Sequence, residues 1–82
     1  MFEVREDQIL DCRGQLCPMP VVRVGRAMST LQPGQVLKVL ATDRGAAVDV
    51  PAWADDTGNV LLRQDEENGH LVFYVQRGDE TP

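Results

Sequence analysis

Only two cysteines occur among the 82 residues, Cys12 and Cys17. That is too few for a disulfide-stapled secreted scaffold, which usually carries four or more. Two cysteines and the single histidine, His70, also fall short of a four-ligand metal set, so no metal is expected. No apolar run approaches the ~20 residues that a membrane helix needs. The opening "MFEVREDQIL" has acids early and no apolar stretch behind a basic start, unlike a secretory signal. A cytoplasmic protein with reduced thiols and no membrane partner is the expectation. Aromatic residues are scarce, with one Trp, one Tyr and two Phe, which leaves no stacking platform for nucleic-acid bases. A net charge of -5 further disfavours phosphate binding, so no direct nucleic-acid contact is expected.

A second absence is local. From Cys12 through Thr42 there is no Asp or Glu, while Arg13, Arg23, Arg26 and Lys38 give +4. The remaining residues hold thirteen acids against four arginines, or -9, and the two parts sum to -5. Local positive charge of this kind steers acidic partners and favours a thiolate. Within the acid-free segment stands "RGQLCPMPVVRVG", residues 13–25, where a cysteine directly precedes two closely spaced prolines.

Residues 1–82 form a single domain, since a chain of this size buries only ~60% of its unfolded surface and shows no repeat. "QILDCR", 8–13, reads as a short strand closed by Gly14. Residues 18–31 read as a helix with Val21, Val24, Met28 and Leu31 on its core stripe and Arg23, Arg26 and Thr30 on the other side. Pro33-Gly34 stops it. "VLKVLAT", 36–42, is a strand that turns Leu37, Val39 and Ala41 one way and Val36, Lys38 and Leu40 the other. Asp43 is the expected N-cap of a second helix running to about Asp56, with a kink or a fresh start at Pro51 and a stop at Gly58. "NVLLRQ" and "HLVFYVQR" are two strands, and Asn68-Gly69 between them is a strong hairpin signal. Residues 78–82 are expected to form a flexible tail.

The order is therefore βαβαββ. Two helices cannot cover both faces of so small a sheet, which points to a two-layer α/β (α+β) sandwich with both helices on one face. A right-handed crossover makes the first two strands parallel, and the hairpin makes the four-stranded sheet mixed.

The prolines fit the first helical turn, where a missing N–H loses no partner. Cys17 is then the expected N-cap, with Pro18 and Pro20 at the first and third helical positions. The positive end of the helix dipole lowers a thiol pKa there, although two N–H groups that would solvate the anion are absent and only those of Cys17 and Met19 remain. Moderate activation is the expectation. Cysteine is not a preferred N-cap residue, which sets this position apart from one chosen for helix stability; the alternative is an inert, buried thiol. Cys12 shares a strand face with Leu10 and reads as core, with a resolving role against Cys17 as the other reading. Asp11 has a backbone turn or Arg13 as its expected partner. Trp53 and Phe73 read as core and Tyr74 as the outer sheet face. Dithiol oxidoreductases place a second cysteine three residues after the first, and here that position is Pro20. A lone activated thiol suits holding a covalent cargo and passing it to another protein. Arg23 and Arg26, three residues apart on the exposed side of the helix, are candidates for docking that partner.

The run "LDCRGQLCPMP" resembles the signature of the TusA/SirA sulfur-carrier proteins, an aspartate and Arg-Gly followed by C-P-x-P. "VLATDRGAAVDVPAWADDTGNVLL" is similar to the family's second helix and flanking strands, so the resemblance extends from about Leu10 to Arg77. It implies a fold like that of the C-terminal domain of translation initiation factor three. It also implies that Cys17 carries sulfane sulfur as a persulfide, with no other cofactor, and that Asp11, Arg13, Gly14, Pro18 and Pro20 form the supporting motif. A cysteine desulfurase or rhodanese would load it and a TusD/DsrE-type protein would accept the sulfur. The outlets would be tRNA thiolation, molybdenum-cofactor assembly or sulfur oxidation. The protein would then be a sulfurtransferase-type carrier, monomeric when free, rather than a stand-alone catalyst. Arg44 stands where relatives commonly have proline. A thiol-redox protein, or a regulatory or RNA-contacting module that does not need the thiol, is the alternative class.

Overall fold

The computed structural model describes residues 4–16 and 18–78 and arranges them as β1 (Gln8–Cys12), α1 (Met19–Met28), β2 (Val36–Ala41), α2 (Ala46–Thr57), β3 (Val60–Glu67) and β4 (His70–Gln76). The sheet order is β1-β2-β4-β3. β1 pairs parallel with β2, and β4 pairs antiparallel with both β2 and β3. The two crossovers leave the helices in contact with each other, in a two-layer arrangement that the element order implied.

The alternation along β2 sets the layers. Leu37, Val39 and Ala41 are fully buried and meet Leu71, Phe73 and Val75 of β4 and Val24, Met28, Val50 and Ala54 of the helices in one core. Each fully buried Val, Leu or Phe stabilises the fold by about 1.5–3 kcal/mol. Cys12 belongs to this core with no exposed surface, as its strand face required. Trp53 packs on its edge. On the uncovered face, Lys38 stands over the Tyr74 ring at 5.6 Å. Val72 is fully buried even there, between Leu40 and Asp65 on its neighbouring strands.

The element ends differ from the sequence expectation in five ways. The N-cap of α1 is Pro18, which puts Pro20 at the second helical position rather than the third. The expected N-cap, Cys17, lies outside the described residues. α1 ends at Met28 instead of residue 31, because the Ser29 and Thr30 hydroxyls bond back to the carbonyls of Arg26 and Ala27, both at 2.6 Å. Leu31 is still buried. α2 starts behind Gly45, not Asp43: the Asp43 carbonyl accepts the Ala46 N–H in a tight entry turn of i to i+3 bonds. The helix then runs through Pro51 as one element, so the fresh start does not occur. Gly58 does stop it, in the left-handed conformation at φ 77°. Asn68 and Gly69 both take positive φ, 50° and 83°, which is the geometry of a two-residue type I′ hairpin. Gly78 is bonded, its N–H donating to Asn59 Oδ1 at 3.0 Å, so the expected tail does not begin there. Residues 79–82 lie outside the described residues.

Candidate functional site

The C-terminal end of β1 turns into the "RGQLCPMP" segment, and four sets of bonds fasten that turn. The Asp11 carboxylate accepts from its near neighbour Arg13 three times: the backbone N–H at 3.0 Å, Nε at 2.9 Å and Nη2 at 2.8 Å. This two-pronged grip, with the backbone N–H behind it, holds the Asp11 carboxyl down at about 2. The same pairing raises Arg13 above its usual range. Gly14, at φ 82°, bends the chain and donates its N–H to Thr42 Oγ1 at 2.8 Å. Gln15 N–H closes the turn onto the Cys12 carbonyl at 3.2 Å.

Arg23 supplies the fourth fastening. It is half-buried, and its Nη1 reaches back from α1 to the Asp11 carbonyl at 3.0 Å. The expectation placed it beside Arg26 on the exposed side; Arg26 is exposed, whereas Arg23 is engaged with β1. Charge from Arg23 also favours the ionised forms of Asp11 and Cys12. For Cys12 burial outweighs it and pushes the thiol pKa up. Cys12 is a free, buried thiol.

Cys17 itself falls outside the described residues, but the chain on both sides of it is at the surface. Leu16 is 73% exposed, Met19 44% and Val22 40%, with Pro18 also exposed. Pro20, in contrast, is buried in the core, so the second proline anchors the helix start as well as shaping it. The Met19 N–H, expected to solvate a thiolate, is spent on the Leu16 carbonyl at 2.9 Å. The motif thus brings together Asp11, Arg13, Gly14 and Arg23 at the strand end, with Pro18 and Pro20 at the helix start. Arg26 lies further along α1. Sequence reasoning missed Thr42 and the exposed apolar trio Leu16, Met19 and Val22. Thr42 was findable, because parallel pairing of Cys12 with Ala41 puts the next residues, Arg13 and Thr42, beside each other.

Among the described residues no three His, Cys, Asp or Glu side chains gather into a metal set, and no helix is long and apolar enough to cross a membrane. The class defined by these features is a small α+β sandwich whose first strand leads through a fastened turn into a helix beginning within the sequence C-P-x-P. A solved SirA-like protein from Desulfitobacterium hafniense has this fold, with a TM-score of 0.76 and 26% identity over 88% of this chain and 99% of its own. Residues 8–77 match the family model described as sulfurtransferase TusA, and the chain belongs to that family. It is 45% identical over 75 residues to the putative sulfur carrier protein YrkI of Bacillus subtilis, covering 92% of this chain and all of that one. It is 41% identical over 71 residues to the sulfur carrier protein TusA of Allochromatium vinosum, covering 87% and 93% of the two chains. A sulfur-relay carrier role, exercised together with partner proteins, follows from that membership.

Proposed function

We propose that Cys17 is the carrier atom's seat: it takes sulfane sulfur from a donor protein and holds it as a persulfide until an acceptor cysteine removes it. The Cys17 thiolate attacks the outer sulfur of a donor persulfide, of a cysteine desulfurase or a rhodanese. The donor's S–S bond breaks, its thiolate leaves, and a new S–S bond forms on Cys17. Attack of an acceptor thiolate, of TusD/DsrE type, on the outer sulfur of Cys17 repeats the exchange and frees Cys17. No external oxidant is consumed, because each step makes one S–S bond and breaks another. tRNA thiolation, molybdenum-cofactor assembly and sulfur oxidation are the outlets that suit such a relay.

The observation that carries this reading is the exposure of Leu16, Pro18 and Met19 around Cys17, with proline where a dithiol protein has its resolving cysteine. An approaching partner meets an apolar strip of Leu16, Met19 and Val22 with Arg26 beyond it. Arg26, and the part of Arg23 not engaged by Asp11, supply charge that speeds a brief encounter. The positive end of α1 favours the thiolate.

The test is loading with a cysteine desulfurase and cysteine, or a rhodanese and thiosulfate. The protein should gain the mass of one sulfur, lost on reduction and absent in Cys17→Ser. A product with a Cys12–Cys17 disulfide would favour the redox alternative, and a biological activity unchanged in Cys17→Ser would favour a thiol-independent module.

A further inference from the structure

Away from the motif, α1 and α2 part near their C-terminal ends to leave a cleft of about 230 Å³. Liquid water takes about 30 Å³ per molecule, so the space matches a molecule of roughly eight or nine non-hydrogen atoms. Gly25 opens it. A side chain begun at Gly25 would meet only Trp53 Nε1, at 4.0 Å, so the missing side chain and the indole edge face one another across the gap. Met28 lines one wall, and Arg77, from the end of the sheet, lines the cleft as well.

The hydrogen-bonding balance of this cleft is one-sided. Several acceptors at the two helix ends are occupied. The Gly25, Arg26 and Ala27 carbonyls accept from Ser29 N–H, Ser29 Oγ and Thr30 respectively, and the Met28 and Leu31 carbonyls accept from Arg77 Nη1. In α2 the Trp53 and Ala54 carbonyls accept from Thr57 Oγ1 and Asn59 N–H. Asn59 is used at both ends of its amide, by Thr57 and Gly78. Within the cleft lining the buried group left unspent is a donor: Arg77 Nε has no acceptor, and the Trp53 indole N–H lies across the gap from Gly25. A buried donor without a partner is costly, and a bound acceptor removes that cost.

We propose that this cleft binds a small apolar molecule ending in a carboxylate, of about the size of benzoate. Its ring would lie against Met28 and Trp53, and its oxygens would meet the guanidinium edge of Arg77 and the indole N–H. A neutral or cationic isostere brings no negative charge to Arg77 and, as an ammonium, adds donors to a site that already has too many. The site is independent of the sulfur chemistry at the other end of α1.

Trp53 is the protein's single tryptophan, so its fluorescence reports the cleft directly. Titration of the full chain with benzoate should change that fluorescence saturably, with a Kd on the order of 1 mM for nine non-hydrogen atoms at ordinary ligand efficiency. Benzylamine at the same concentrations should give no saturable change. Gly25→Leu, at a position with ordinary helical φ and open space, should weaken benzoate at least tenfold by filling the cleft. In the unsubstituted protein the amide and indole shifts caused by benzoate should be confined to residues around Gly25, Ser29, Trp53 and Arg77, a reading that does not depend on the variant's folding. A linear fluorescence response to benzoate, equal binding of benzylamine, unchanged affinity in a folded Gly25→Leu protein, or shifts centred elsewhere would each overturn the proposal.

Discussion

Replacing Arg23 with methionine removes the guanidinium that joins α1 to the Asp11 carbonyl while keeping an apolar stem of similar reach. A hydrogen bond from a charged donor contributes about 1.5–3 kcal/mol, and the lower end applies here because the group is only half-buried and water can replace it. With a further discount for that exposure, the loss is about 1 kcal/mol. For a domain of this size that lowers Tm by about 4–8 °C. Arg26 is the internal control. It is exposed, in the last turn of α1, with only a small interaction with the helix dipole to lose, so Arg26→Met should stay within about 0.5 kcal/mol of the parent. Thermal unfolding followed by circular dichroism at neutral pH separates the two. Sulfur transfer to a partner protein should show a different pattern. Arg26→Met should slow transfer at low salt with little change in Tm, and added salt should slow the parent over the same range. Arg23→Glu should cost both stability and transfer. If Arg23→Met melts within 1–2 °C of the parent, the strand-to-helix tether does not stabilise the turn and the argument from its 3.0 Å geometry is wrong.

Three further outcomes are expected. The Asp11 carboxyl, lowered from 3.8 to about 2, contributes stability that is fully present above pH 4 and is lost as pH falls through about 2; a carboxyl NMR titration with its midpoint near 3.8 would contradict the Arg13 grip. Cys12 has no exposed surface and a raised pKa, so in Cys17→Ser protein an aromatic disulfide reagent should label it far more slowly in native buffer than after unfolding, and Cys12→Ala should be better tolerated than Cys12→Ser, which buries a hydroxyl. Gly58→Ala should cost about 1 kcal/mol, read as a fall in denaturation midpoint, because its left-handed φ strains an L-residue even though no atom lies in the way.

Most of the fold was legible because its determinants are periodic or local. The β2 alternation, the Val24–Met28 spacing, the Gly58 stop and the Asn68-Gly69 turn all act through neighbours in sequence, and all appear as expected. The element ends were less so. The end of α1 is decided by the Ser29 and Thr30 hydroxyls competing for helix carbonyls, and the start of α2 by a tight turn on Asp43, neither of which hydrophobic periodicity detects. The Asp11–Arg13 pair was readable at a spacing of two residues. Arg23 reaching Asp11 across twelve residues was not, because that bond exists only once α1 has packed beside β1, and Thr42 beside Gly14 could be found only by first pairing β1 with β2.

That parallel pairing also orders the assembly of the molecule. The β3–β4 hairpin closes a two-residue turn, whereas β1 must find β2 across the whole of α1, with Gln8 opposite Leu37. Closing the longer loop costs more chain entropy before any contact compensates, so the hairpin nucleates early and β1 docks late. β1, like β3, is an edge strand held on one side alone, and at five residues it is the shorter of the two, so it is expected to open before the central strands. The buried Cys12 at its end therefore serves as a clock: its rate of reaction in native buffer counts the excursions in which the strand that anchors the Cys17 turn comes away from the sheet.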